Sequence, residues 1–256
     1  MRTRPTSYLA SLVAATLIVG TATGAHAQSL SSESRSGDVP VKSLLTNTID
    51  GFGHLKSPDS LGILAIGGAA AAAVHPADNE ITEDFAHPGA LRKTFKSGTY
   101  LGGTPLQLGA AFAVYGVGRA LHHPCAAALG ADLVSAGLMA QGLTLGLKAL
   151  SQRERPDGSS GSFPSGHAAM SFASATVLQK HYGWKVGIPA YAVASYVAAS
   201  RVQTDRHYAS DVIFGAAIGL VSGRSITFGS QRFLFEPSAS QHGAGLALSW
   251  AGPKNP

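Results

Sequence analysis

Charge is scarce in this chain of 256 residues. Lys, Arg, Asp and Glu supply only 13% of it, against 45% hydrophobic residues. Thirty-one glycines and many alanines point to closely packed helices rather than a coiled coil or a disordered segment. The single cysteine, Cys125, excludes an internal disulfide and leaves the redox compartment open. The formal charge is +5 with no long Lys/Arg stripe and no interleaved aromatics, which argues against a nucleic-acid partner. There is no Walker-type phosphate loop and no Gly-x-Ser-x-Gly elbow. His122-His123 has no Asp, Glu or Cys at ligand spacing, so it reads as a polar turn before Pro124, and no metal or other cofactor is assigned.

Strongly apolar runs of the length a bilayer demands, ~20 residues, are also missing. Leu101 to Gly118 is eighteen residues without a charge, while Leu133–Leu147 and Val186–Ser200 reach fifteen each with much Ala, Gly and Ser. The expectation is a soluble bundle of buried helices, with peripheral or integral membrane association as the alternative. Residues 1–27 read as a cleaved signal peptide: Arg2 and Arg4, an apolar stretch from Tyr8 to Val19, then Ala25-His26-Ala27. Their removal leaves 17 basic against 14 acidic side chains, and the expected location is the periplasm.

Residues 28–43 are Ser-rich and read as a flexible entry segment. One all-α domain is expected over residues 44–224, long enough for a well-buried core. Its helices are expected near 44–55, 61–74, 105–121, 126–150, 165–181, 186–200 and 205–221, with surface helix and loop over 79–96. From residue 225 the pattern changes: Ile226 and Phe228, Phe233 and Phe235, then Leu246, Leu248 and Trp250 recur at every second position, which fits a short terminal β-hairpin over residues 225–256, with a packed irregular tail as the alternative.

Three groups of polar and charged residues stand out on helix-like segments otherwise poor in charge. Lys148 closes an apolar helix, where an unpaired buried ammonium is expensive and calls for an anion or solvent. Arg155 follows in a Pro/Gly-rich loop, and Arg201 closes another apolar helix. Forked and compact cations of this kind suit one small dianion; single cations at helix ends also simply favour the dipole. Ser165 is a natural N-cap, and Gly166 leaves its backbone open, so the helix start can hold a phosphate oxygen. His167 is placed to protonate a leaving ester oxygen, or to serve as a structural histidine. His207 and Asp211 are i and i+4 on one helix face. There the carboxylate can fix the ring tautomer and leave the other nitrogen free to attack phosphorus, although a surface ion pair uses the same spacing.

Together, Lys148, six residues, Arg155-Pro156; Pro164-Ser165-Gly166-His167; and Ser200-Arg201, five residues, His207, three residues, Asp211 resemble the type-2 phosphatidic acid phosphatase superfamily. The resemblance spans about residues 130–222 and lies nearest the bacterial non-specific acid phosphatases. It implies a single helical bundle of the PAP2/acid phosphatase type, with His207 as nucleophile, Asp211 as its orienter and His167 as general acid. Lys148, Arg155, Ser165, Gly166 and Arg201 would hold the phosphoryl oxygens. The implied activity is metal-independent hydrolysis of a phosphate monoester through a phosphohistidine, with broad specificity. Alternatives are a lipid phosphate or isoprenyl diphosphate substrate, a vanadium-dependent haloperoxidase, and a non-catalytic phosphate-binding or structural protein. Three departures touch loop shape and specificity: only seven residues between Pro156 and Pro164, the polar stretch Val202 to Arg206, and Ala209 where many relatives carry proline.

Overall fold

The computed structural model describes residues 39–86, 90–227, 232–240 and 243–251; the expected signal peptide lies outside them. The described helices are α1 (Val41–Gly53), α2 (Pro58–Val74), α3 (Asp78–Phe85), α4 (Ala90–Leu101), α5 (Thr104–Ala120), α6 (Pro124–Ser151), α7 (Gly166–Tyr182), α8 (Trp184–Gln203) and α9 (Ala209–Thr227). Short 3₁₀ turns at His54–Lys56 and His75–Ala77 separate α1 from α2 and α2 from α3. Strands β1 (Arg232–Ser240) and β2 (Gly243–Ala251) pair antiparallel, with Phe233 opposite Trp250 and Phe235 opposite Leu248. Ile226 belongs to α9 rather than to the alternating tail and is buried.

Local signals account for the helix boundaries. Ser57 accepts from the Ser60 N–H, with Pro58 at the first position of α2. His123 does the same for Ala126 ahead of α6, so His122-His123-Pro124 is a turn and cap. The α6 helix stops at Gln152, in left-handed backbone, and α7 stops at Gly183.

Helix α9 lies at the centre, packed on α7, α2 and α6. Its approach to α7 is set by Gly215, Gly219 and Gly223, one turn apart on one face. A Cβ at Gly215 would stand 2.5 Å from the Ser165 carbonyl oxygen, and one at Gly219 2.3 Å from that of Ala169. Two small-residue cores result. One joins Met139, Ala169, Ala173, Val177, Ile218 and Val221; the other joins Phe172, Ala194, Ala198, Val202, Val212 and Ala216. The glycine seam thereby holds the start of α7 against the first turns of α9.

The soluble-bundle expectation does not hold. Among the described residues three stretches are long and apolar enough to cross a membrane: Pro58–Phe85, Pro124–Ser151 and Ala209–Thr227. The 28 residues of α6 alone rise about 42 Å, against ~30 Å of hydrocarbon. Large apolar side chains also point outward along several helices, among them Ile66, Leu106, Phe112, Val117, Leu145 and Ile188. Counting uncharged runs understated the helices, because Asp59 and Lys148 sit near helix ends and Asp132, inside α6, is buried and paired with His181 at 2.8 Å.

Candidate active site at one end of the bundle

Lys148, Arg155, Ser165, Gly166, His167, Arg201, His207 and Asp211 come from the end of α6, the loop after it, the start of α7, the end of α8 and the entry to α9. The loop strand Gly161–Ser162 ties them together. Lys148 Nζ donates to the Gly161 carbonyl and lies 3.4 Å from that of Ser162. Arg155 Nη2 donates to the Gly161 carbonyl at 3.3 Å. The His207 ring bonds the Ser162 carbonyl through Nδ1 at 2.7 Å. That contact makes Nδ1 the protonated nitrogen and leaves Nε2 with its lone pair.

His207 itself is buried, in the 204–208 loop, where its backbone N–H and that of Arg206 both reach the Arg201 carbonyl. Burial pulls its pKa from 6.5 down to about 4, with the Lys148 charge acting the same way and Asp211 opposing. The ring is therefore neutral at neutral pH, with a lone pair on Nε2.

Asp211 is fully buried and fully bonded. Its Oδ2 stands 3.7 Å from His207 Nδ1, beyond hydrogen-bond range. It accepts instead from Ser162 Oγ and from the Tyr208 N–H at 2.9 Å, while Oδ1 takes Arg153 Nη1 at 2.7 Å. The orienting bond on the ring thus comes from the Ser162 carbonyl, and the carboxylate supplies negative charge behind it.

Ser165 caps α7, and its N–H donates to the Asp211 carbonyl at 3.0 Å, which joins the two motif segments. Gly166 begins α7, and a Cβ there would touch Gln141 and Thr144 at 3.4 Å. The Thr99 backbone on α4 acts on the His167 ring, and Arg201 Nη1 donates to Thr99 Oγ1 at 2.9 Å. The charges of Arg155 and Arg201 act on both Lys148 and His167, so the cations form one cluster. Within it, the Nε–H groups of Arg155 and Arg201 are buried without an acceptor among the described residues. Ser200, part of the spacing pattern, spends its hydroxyl on the Val197 carbonyl.

Other residues entered the site unannounced. Thr99 sits in a stretch whose neighbours carry charge and read as surface. Arg153 lies two residues before Arg155, and Asp78 opens α3; neither has a spacing signal. Arg206 pairs with Asp157 at 2.7 Å, and Asp205 faces Arg92 at 3.4 Å, so Asp205 does not neutralise its neighbour. Asp157 is held down at about 2, first by the Ser159 hydroxyl.

Residues 129–233 match the family model of the PAP2 superfamily. Over that stretch the chain is similar to that superfamily. A solved relative, the first transmembrane PAP2 type phosphatidylglycerolphosphate phosphatase from Bacillus subtilis, superposes with a TM-score of 0.57 at 26% identity. The match covers 67% of this chain and 94% of that one. The Lipid A 1-phosphatase of Porphyromonas gingivalis is 45% identical over 75 residues, which is 28% of this chain and only 17% of the relative. The Lipid A 4'-phosphatase of Helicobacter pylori is 27% identical over 140 residues, 46% of this chain and 71% of the relative.

These relatives and the long apolar helices correct the expected location. A signal peptide releasing a soluble periplasmic protein is replaced by membrane association. The non-specific acid-phosphatase branch of the superfamily gains no support from these relatives, whose names are those of lipid phosphatases.

Proposed function

We propose that this protein is a membrane phosphatase that removes the terminal phosphate from a lipid phosphate monoester through a phosphohistidine on His207. The observation that carries this reading is the cup itself: two buried guanidinium Nε–H groups without acceptors beside a neutral histidine whose Nε2 is free. Orphaned buried donors are costly, and phosphoryl oxygens satisfy them.

In the first step His207 Nε2 forms the bond to phosphorus while the ester P–O bond breaks, and His167, protonated once the substrate's negative charge offsets the burial and the Arg201 and Arg155 charges that hold its pKa at about 3, gives that proton to the departing alkoxide. Lys148, Arg155 and Arg201, with the N–H groups at the start of α7, hold the three equatorial oxygens, where charge accumulates. The positive charge left on the phosphorylated ring faces the Ser162 carbonyl and the Asp211 carboxylate. Water then attacks phosphorus, His167 takes its proton, the P–N bond breaks and orthophosphate leaves. The protein cations supply the charge that a metal supplies in other phosphatases. A lipid substrate is supported by the names of the relatives and by the outward apolar faces of the helices.

Phosphate release by full-length protein in detergent, with EDTA, tests this on phosphatidic acid, phosphatidylglycerolphosphate, lipid A and p-nitrophenyl phosphate. The expected result is turnover of at least one lipid well above the soluble ester, and its loss by more than about a thousandfold in His207→Ala. Full activity in that variant, or preference for the soluble ester, would overturn the proposal.

A further inference from the structure

The arginines around the site fall into two classes. Arg155 and Arg201 each keep a buried donor without an acceptor. Arg153 has spent its fork on the protein. Its Nη1 donates to Asp211 Oδ1 at 2.7 Å and Ser210 Oγ at 2.9 Å, and its Nη2 donates to Asp78 Oδ2 at 2.8 Å and lies 3.2 Å from His75 Nδ1. The Tyr208 ring covers its face at 4.3 Å. Such a guanidinium has little left to offer a phosphate.

Asp78 makes the same network rigid from the other side. It is buried, 133 positions before Asp211 in the chain, at the point where the 3₁₀ turn after α2 enters α3. Its Oδ1 accepts the Ser210 N–H at 3.0 Å, and its Oδ2 accepts Ser210 Oγ at 2.5 Å and His75 Nδ1 at 3.0 Å. Ser210 immediately precedes Asp211. The backbone at the entry to α9 and the carboxylate of Asp211 are therefore both anchored to one residue from the N-terminal third of the chain.

We propose that Arg153 and Asp78 are positioning residues for the nucleophilic centre: Arg153 bridges the two buried carboxylates, and Asp78 fixes the bridge, so that Asp211 stays behind the His207 ring. This rests on the phosphohistidine reading above. Neither residue touches the phosphoryl group; both act through Asp211. A lysine cannot replace the arginine, because one ammonium does not span two carboxylates in a fixed plane. The α2–α3 junction is on this account part of the active centre.

The test measures kcat and KM for phosphatidic acid in detergent micelles, inhibition by orthovanadate and the melting temperature, for Arg153→Met, Arg153→Lys and Asp78→Asn. Each is also placed in an Asp211→Asn background. Arg153→Met is expected to lower kcat about 100-fold. Asp78→Asn and Arg153→Lys lower it less, with KM and vanadate inhibition within about threefold of wild type, because the cations that hold the oxyanion are untouched. In the Asp211→Asn background the same changes are expected to add less than about threefold. Wild-type kcat in both Asp78→Asn and Arg153→Lys would overturn the proposal, as would losses that multiply with Asp211→Asn. If Arg153→Met does not fold, those two milder variants decide.

¹⁵N spectra of histidine-labelled protein separate this idea from the functional one. The His207 signals are expected to show a protonated Nδ1 and a bare Nε2 in wild type, and to shift or broaden in Asp78→Asn. Shifted signals in a protein without phosphatase activity would leave the positioning standing and remove the function. Unchanged signals in an active protein would do the reverse.

Discussion

Helices α2 and α9 are both apolar enough to cross a membrane, yet they meet different surroundings. The apolar window that includes α2 is 17% buried within the protein and that of α9 is 89% buried. Mean hydropathy does not distinguish them. What does is how far close packing extends along each: Gly215, Gly219 and Gly223 repeat every four residues on α9 and admit the backbone of α7, whereas α2 approaches α9 at Gly67 and a Cβ at its Gly62 would meet open space. One helix is apolar because it is inside the protein, the other because of what surrounds the protein. The chemistry follows the inner helix. His207 and Asp211 sit at its entry, where the glycine seam holds Ser165 within reach of the Asp211 carbonyl.

The same substitution placed on each helix breaks or confirms this contrast most strongly. Gly219→Leu must displace the Ala169 carbonyl and the start of the Ala173 peptide, and is expected to lower stability by about 3 kcal/mol or more. Gly62→Leu, on the open face, is expected to be neutral or to stabilise by up to about 1 kcal/mol through helix propensity. Melting of both variants in one detergent is the check. Equal losses would mean that the Gly62 face of α2 is also packed in the protein.

A smaller effect sharpens the account at the mouth of α9. Burial disfavours the imidazolium of His207 and places its pKa at about 4 rather than 6.5. The neutral form, the one the proposed attack on phosphorus requires, therefore persists as pH falls from 7 and is lost only as pH drops through about 4. Profiles of kcat/KM report the free enzyme. Once corrected for ionisation of the substrate phosphate, the acid limb assigned to the nucleophile is expected near pH 4. A limb near 6.5 that persists in His167→Ala would show that His207 is solvated and not held as described.

The candidate site residues were legible as a group because phosphoryl chemistry requires cations, an acid and a nucleophile at fixed offsets along helix ends. Arg153, Asp78 and Thr99 were not, because what places them is pairing across long stretches of chain. Asp78 stands among Glu80, Glu83 and Asp84, where one more carboxylate reads as a solvated face. The helical bundle was readable from apolar runs and their Gly and Pro stops. Its surroundings were not, because an Ala/Gly-rich helix that faces other helices and one that faces outward have nearly the same one-dimensional pattern. The Asp211 carboxylate behaves similarly: the i, i+4 spacing brings it to the His207 ring but cannot say that Arg153, Ser162 and Tyr208 claim its oxygens first.

The central claim is that His207 carries the phosphoryl group. Full-length protein mixed with the preferred lipid phosphate, quenched in alkali within milliseconds and digested, would be read by mass spectrometry for a phosphoryl group on the peptide holding His207. That group is expected on His207 at early times, disappears as orthophosphate is released, and is absent in His207→Ala. Steady release of orthophosphate with His207 never modified, or with the phosphoryl group on another residue, would contradict it.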